Sequence, residues 1–121
     1  MRGEVMKVDK SLLAGSTTLL LLKLLEEKDM YGYQMIEELA RRSNDTFTLK
    51  AGTLYPLLHQ LEQQGMVNVY EAQAENQRVR KYYSLTSKGR GLLNEKEAEW
   101  KTFSSAVNQV LRGGASYGTA F

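Results

Sequence analysis

The spacing of apolar and polar positions divides the chain into helix, helix, helix, strand, strand, helix. A first helix is expected over about 11–28, opened by Ser11 as its cap; Leu12, Leu13, Leu19, Leu20, Leu21, Leu22, Leu24 and Leu25 nearly cover its circumference. A helix apolar on all sides is buried on several of them. Glu26-Glu27-Lys28-Asp29 then marks an exposed turn. Met35, Ile36, Leu39 and Ala40 share one face of a second helix from Tyr31 to Arg42. Ser43-Asn44-Asp45 supplies a turn, and Thr46 to Leu49 suits a short extended segment.

A third helix is expected from Ala51, with Leu54, Leu57, Leu58 and Leu61 as its core stripe and Gly65 as a left-handed stop. Pro56 removes one helical hydrogen bond, a loss limited by its place near the start. Met66 to Ala72 alternates like a strand, Gln73 to Gln77 forms a turn with Asn76 at positive φ, and Val79 to Leu85 returns. By alternation one of Tyr82 and Tyr83 faces the core, and Tyr83 is the choice. Thr86 caps a last helix over about 87–112, and the small residues from Gly113 onward suit a flexible tail.

The chain has 121 residues, 42% of them hydrophobic, which fits one domain. So short a chain buries its core incompletely, and a second copy is a natural cover for the remainder. A net charge of +2 says little by itself, but the cations are unevenly placed. Gln77 to Arg90 contains Arg78, Arg80, Lys81, Lys88 and Arg90 and no acid. The plainer alternative is a solvated surface strand. The absence of cysteine excludes disulfides, thiolate metal sites and cysteine nucleophiles, and fits a reducing interior. Leu19 to Leu25 is too short to span a bilayer and is broken by Lys23, and the N-terminus lacks a signal-peptide layout. A cytoplasmic protein without a membrane partner is expected.

A helix that fits a groove, followed by a basic ribbon, is the plan of a winged helix-turn-helix DNA binder. The fold class expected is mainly α with a small β-hairpin. The outward face of the third helix offers Thr53, Tyr55, His59, Gln60 and Gln63, with Lys50 just before it. Glutamine can pair with adenine in the major groove, and hydroxyls suit phosphates. The hairpin carries Gln77, Arg78, Arg80 and Lys81, placed to enter or straddle the minor groove. On the last helix Leu93, Lys96, Trp100, Phe103, Val107 and Val110 step alternately by three and four. That is a heptad seam for a second copy, with Lys96 its poorest member; packing on the first helix of the same chain is the alternative, and the two can coexist. Trp100 is either interface core or, with Lys96, the wall of a site for a flat aromatic ligand.

Enzyme chemistry finds little support. His59 is the single histidine and has no carboxylate or nucleophile spaced to work with it. Glu95, Glu97 and Glu99 read as a solvated helix face, and Gly89 and Gly91 lack the strand that a phosphate loop needs. No metal or cofactor is expected.

Four strings, Tyr31-Gly32-Tyr33, Gly52 to Leu58, Leu61 to Val67 and Arg80 to Gly89, together resemble the PadR family of bacterial transcriptional regulators, over about residues 12–112. The resemblance implies a homodimeric repressor with a winged helix-turn-helix over 10–86, a dimerisation helix over 87–112 and a tail over 113–121. It implies near-palindromic double-stranded operators released on binding a small, often aromatic, ligand. It puts Tyr33 at a DNA phosphate and Trp100 where short multidrug-responsive members stack planar drugs. The single helix after the wing matches the short branch of the family. The wing tip, Ala74-Glu75-Asn76-Gln77, departs from the glycine common in relatives. A winged-helix module that binds protein instead of DNA is the rival reading; it calls for an acidic or apolar wing, and this one is basic.

Overall fold

The computed structural model describes residues 8–113. It contains α1 (Lys10–Glu27), β1 (Met30–Tyr31), α2 (Gly32–Arg42), α3 (Ala51–Gln63), β2 (Val67–Gln73), β3 (Val79–Leu85) and α4 (Ser87–Arg112). The expected tail lies outside the described residues beyond Gly113. The sheet is antiparallel in the order β1-β3-β2, so the small sheet has three strands, not the two of a simple hairpin. The extended segment expected at Thr46 to Leu49 forms no strand. Met30 and Tyr31 supply the third strand instead, opposite Tyr83 and Tyr82.

Local chemistry accounts for the boundaries. Asp9, not Ser11, caps α1: its carboxylate accepts the Ser11 amide at 3.0 Å, which holds the Asp9 pKa below its usual value. The Tyr31 amide donates to the Gln34 side chain at 3.2 Å where α2 begins. Gly65 takes φ 78° where α3 ends, a backbone that glycine adopts without a steric cost. The Thr86 hydroxyl accepts the Gly89 amide at 2.9 Å and donates to the Gly65 carbonyl at 2.7 Å, joining the α3 stop to the α4 start. The residue at positive φ in the wing turn is Gln77, at 71°, not Asn76. Asn76 instead holds the turn through its side-chain oxygen, which accepts the Arg78 amide at 3.1 Å. Pro56 is the sixth residue of α3, past the first turn, so the Gly52 carbonyl has no residue-56 amide to accept.

One core joins all the layers. Leu21 and Leu22 of α1, Met30 of β1, Met35 of α2, Leu54 and Leu58 of α3, Val67 of β2 and Leu93 of α4 are fully buried. Burying a side chain of this kind stabilises by about 1.5–3 kcal/mol. The third-helix stripe lies in this core with Leu57 half-buried, and Tyr83 is buried as its alternation required. The first helix is less enclosed than its composition predicts. Its C-terminal half is buried at Leu21, Leu22, Leu24 and Leu25, but Leu12 is 63% exposed.

Candidate nucleic-acid interface

α3 turns its leucines inward and leaves a polar surface outward on which Glu62 is the one charged residue. Thr53, Tyr55, His59, Gln60 and Gln63 are all exposed, as is Lys50 at the N-cap. This is the side that the 3.6-residue period assigns to solvent or to a groove. Tyr55 has a fixed seat: its ring end lies on Gly32, where any side chain would collide with the Tyr55 hydroxyl. The glycine of the Tyr31-Gly32-Tyr33 string thereby lets α3 approach the start of α2. Tyr33 is exposed on the first turn of α2.

The wing supplies the charge. Gln77, Arg78 and Lys81 are exposed, and none of Lys50, Arg78, Arg80 and Lys81 has a carboxylate partner among the described residues. Arg90 leaves this group; it lies on α4 and faces Glu26 of α1 at 3.7 Å. Arg80 also departs from expectation. It does not reach outward with Arg78 but folds back, its guanidinium carbon 4.9 Å from the Tyr31 ring centre. The reason is an aromatic ladder on the outer face of the sheet. Tyr31 meets Tyr82 edge-on at 5.5 Å, and Tyr82 stacks on Tyr70 at 5.7 Å. The Tyr70 hydroxyl donates to Asp29 at 2.6 Å, and that bond raises the Tyr70 pKa. The ladder ties the wing root to the turn that starts α2.

Between these parts lies a cavity of about 420 Å³ lined by Tyr31, Gly32, Tyr55, Val79, Arg80, Lys81 and Tyr83. It brings together three expected site residues, Tyr55, Arg80 and Lys81. His59, Gln60 and Gln63 stand apart from it along α3, and Gln77 and Arg78 at the wing turn. Sequence reasoning did not place Tyr31, Gly32, Val79 or Tyr83 at this junction. Only the Tyr31-Gly32-Tyr33 string marked the place.

The last helix divides in two. Leu93 is wholly buried in the chain's own core and offers no surface to a second copy, contrary to its expected place in the seam. The reason is that α4 starts against α1, where Lys23 faces Glu97 at 3.9 Å. Beyond that ion pair the apolar stripe is uncovered. Trp100 is 47%, Phe103 56% and Val110 77% exposed, with Val107 and Leu111 also exposed. The Trp100 and Phe103 rings lie 6.1 Å apart. Lys96 is half-buried and faces Glu99 at 3.9 Å, so its charge is partly offset.

Two helices at the heart of the fold, a cationic wing beside the second and a long helix behind define a winged helix-turn-helix protein. The chain belongs to the transcriptional regulator PadR-like family, whose model matches residues 21–95. Proteins of this family are DNA-binding regulators, not enzymes. The chain is 31% identical over 87 residues to the transcriptional regulator Rv3488 of Mycobacterium tuberculosis, covering 72% of this chain and 75% of the relative. It is similar to a PadR family transcriptional regulator from Eggerthella lenta, with TM-score 0.74 and 33% identity over 86% of this chain and 88% of that one. A PadR-like transcriptional regulator from Bacillus cereus gives TM-score 0.76 and 28% identity over 85% of this chain and 98% of that one. No helix among the described residues is long and apolar enough to cross a membrane.

Proposed function

We propose that the protein is a homodimeric repressor that reads a near-palindromic operator and leaves it when a small planar aromatic ligand binds. The observation that carries the DNA half is the meeting, at one cavity, of the α3 flank and a wing whose cations have no acidic partner. In this reading α3 lies in the major groove, where Gln60, Gln63 and His59 meet base edges and Thr53, Lys50 and Tyr33 meet the backbone. Gln77 and Arg78 reach the neighbouring groove from the wing turn. Two copies put two such faces on one side of the duplex, about one helical turn apart. Acting on the genome, the protein works in the cytoplasm.

The dimer half rests on the exposed stripe Trp100, Phe103, Val107, Val110 of α4. An apolar strip of this length on a helix calls for a partner, and a second α4 meets it with the same pattern. The Trp100–Phe103 pair then forms one wall of a slot whose other wall comes from the partner, with Lys96 one turn away. A flat aromatic ligand stacks in such a slot and alters the angle between the two readers.

Selection of duplexes from random DNA tests the first half; inability to retain any duplex at low salt overturns it. Val107→Asp tests the second, because it puts a charge in the strip. It should sediment as a monomer while keeping its helical content; unchanged mass rejects the α4 interface. Titration with planar aromatic cations should quench Trp100 fluorescence and release the selected duplex. A broad panel without either effect removes the ligand from the reading.

A further inference from the structure

The start of α4 is fastened to the end of α3 more closely than the path of the chain requires. α3 stops at Gly65, where the Gly65 amide donates to the Glu62 carbonyl at 3.0 Å and the Met66 amide to the Leu61 carbonyl at 2.9 Å. After the wing, the chain returns to this point at Thr86. The Thr86 amide donates to the Met66 carbonyl at 3.1 Å. The Thr86 hydroxyl donates to the Gly65 carbonyl at 2.7 Å and lies 3.0 Å from that of Met66. The same hydroxyl accepts the Gly89 amide at 2.9 Å. One side chain therefore caps α4 and ties it to the α3 stop.

Gly89 completes the joint. It is buried, and a Cβ there would lie 2.1 Å from the Met66 carbonyl oxygen and 2.7 Å from the Leu85 side chain. The nearer obstacle is backbone and cannot swing aside, so α4 lies flush on the Met66 peptide. Leu93, wholly buried, and the Arg90–Glu26 and Lys23–Glu97 pairs hold the other side of the same helix on α1. Thr86 is the one residue between β3 and α4. α4 then runs unbroken from Ser87 to Arg112 and carries the exposed stripe Trp100 to Val110. The reading helix and the stripe thus belong to one rigid piece. From Thr86 to Val107 the lever is roughly 30 Å long, at about 1.5 Å per residue. A tilt of about 10° at the joint moves its far end by about 5 Å, more than the roughly 3.4 Å between successive base pairs.

We infer that Thr86 and Gly89 determine which half-site spacing the dimer accepts. They do so as positioning residues, through the fixed angle between α3 and α4 and without touching DNA. Pairing of the two α4 stripes then leaves the two reading helices one separation and one relative orientation, which a single gap between half-sites matches. The inference rests on the proposed dimer and its DNA reading.

The test uses the full chain and the two-part duplex that it selects from random DNA. That duplex is remade with the gap lengthened or shortened by one and two base pairs, and once with a single half-site. Each added base pair also turns the second half-site by roughly 35° about the duplex axis. One base pair of mis-spacing should cost the parent about tenfold in affinity and cost Thr86→Val less than about threefold. Affinity for the single half-site should be the same for both. Thr86→Val keeps the branched shape and loses the hydroxyl, so it melts lower for want of its cap. The comparison is therefore made where sedimentation shows both to be folded dimers. Thr86→Ser should restore the narrow preference. Thr86→Asp separates the joint from the cap: its carboxylate still accepts the Gly89 amide but has no hydrogen for the Gly65 carbonyl. It should tolerate mis-spacing as Thr86→Val does, and it carries the test if Thr86→Val does not fold. A folded, dimeric variant as selective for spacing as the parent reduces Thr86 to a helix cap and overturns the inference while DNA binding stands. A parent indifferent to spacing overturns it equally. Failure to select any two-part duplex, or a monomeric mass for the parent, overturns the reading beneath and takes the inference with it.

Discussion

Two groups of cations lie towards opposite ends of α2, and their surroundings differ in one respect. At the C-terminal end, Arg42 spans Glu27 of α1 at 2.6 and 2.9 Å and Glu38 of its own helix at 2.7 Å. Arg41 also grips Glu38. On the N-terminal side, Arg80 and Lys81 at the wing root, and Arg78 farther out at the wing turn, meet no carboxylate among the described residues. The first group fastens α1 to α2 and is satisfied within the chain. The second has no such partner among the described residues, and its charge is open to the backbone of the proposed duplex. Arginine occurs in both places, so the two groups differ in their compensation and not in the mere presence of basic residues.

The largest expected effect breaks this contrast on the wing side. Arg78→Ala with Lys81→Ala should weaken binding to all duplexes by roughly a hundredfold at moderate salt. The slope of log affinity against log salt should flatten by about 0.9 for each phosphate that the variant no longer neutralises. The melting temperature should hold, since neither side chain has a carboxylate partner within the described fold. Retained salt dependence in a filter-binding or gel-shift titration would show that the wing charge is idle.

A smaller effect sharpens the contrast through a residue with no charge. In Gly32→Ala the added methyl meets the far end of the Tyr55 side chain, not backbone. The ring can swing aside, so thermal stability should stay close to the parent's. The displaced Tyr55 no longer faces the cavity, and duplex affinity should fall by about threefold to tenfold. A large loss of melting temperature with undiminished affinity per folded molecule would make Gly32 a packing residue only.

The two ends of α2 were not equally legible in the sequence. The period of Leu54, Leu57, Leu58 and Leu61 was enough to tell the buried side of α3 from its exposed side, and the acid-free run of β3 marked the cationic strand. The two residues of β1 carry no period, and they become a strand only because Tyr82 and Tyr83 pair with them. Without β1 there is no Tyr31 ring for Arg80 to meet, so alternation could say only that Arg80 points off the core face. The heptad steps of α4 were ambiguous for a related reason. Steps of three and four serve packing on α1 and packing on another α4 equally well; the structure uses Leu93 for the first and leaves Trp100 to Val110 uncovered. The Arg42 junction was invisible because Glu27 and Arg42 lie on different helices, and no spacing along one helix connects them.

The smallest expected effect concerns that satisfied end. Hydrogen bonds from Arg41 and then Arg42 hold the Glu38 carboxyl down to about 2, from an ordinary value of 4.5, and the Arg42 bond lowers Glu27 as well. A carboxylate depressed in the folded state stabilises above its unfolded pKa, and that contribution is lost as protons bind. The stability from Glu38 is therefore complete above about pH 4.5 and declines as the pH falls towards 2. Glu27, Arg41 and Arg42 are exposed and Glu38 is partly exposed, so solvent screens the cluster and the decline is shallow. Glu38→Gln should melt slightly below the parent at neutral pH and converge with it near pH 2. Its duplex affinity should match the parent's at every pH where both are folded. A variant whose melting curve runs parallel to the parent's across the whole acid range would mean that the junction contributes nothing to folding. A variant that loses DNA would mean that the two ends of α2 are coupled.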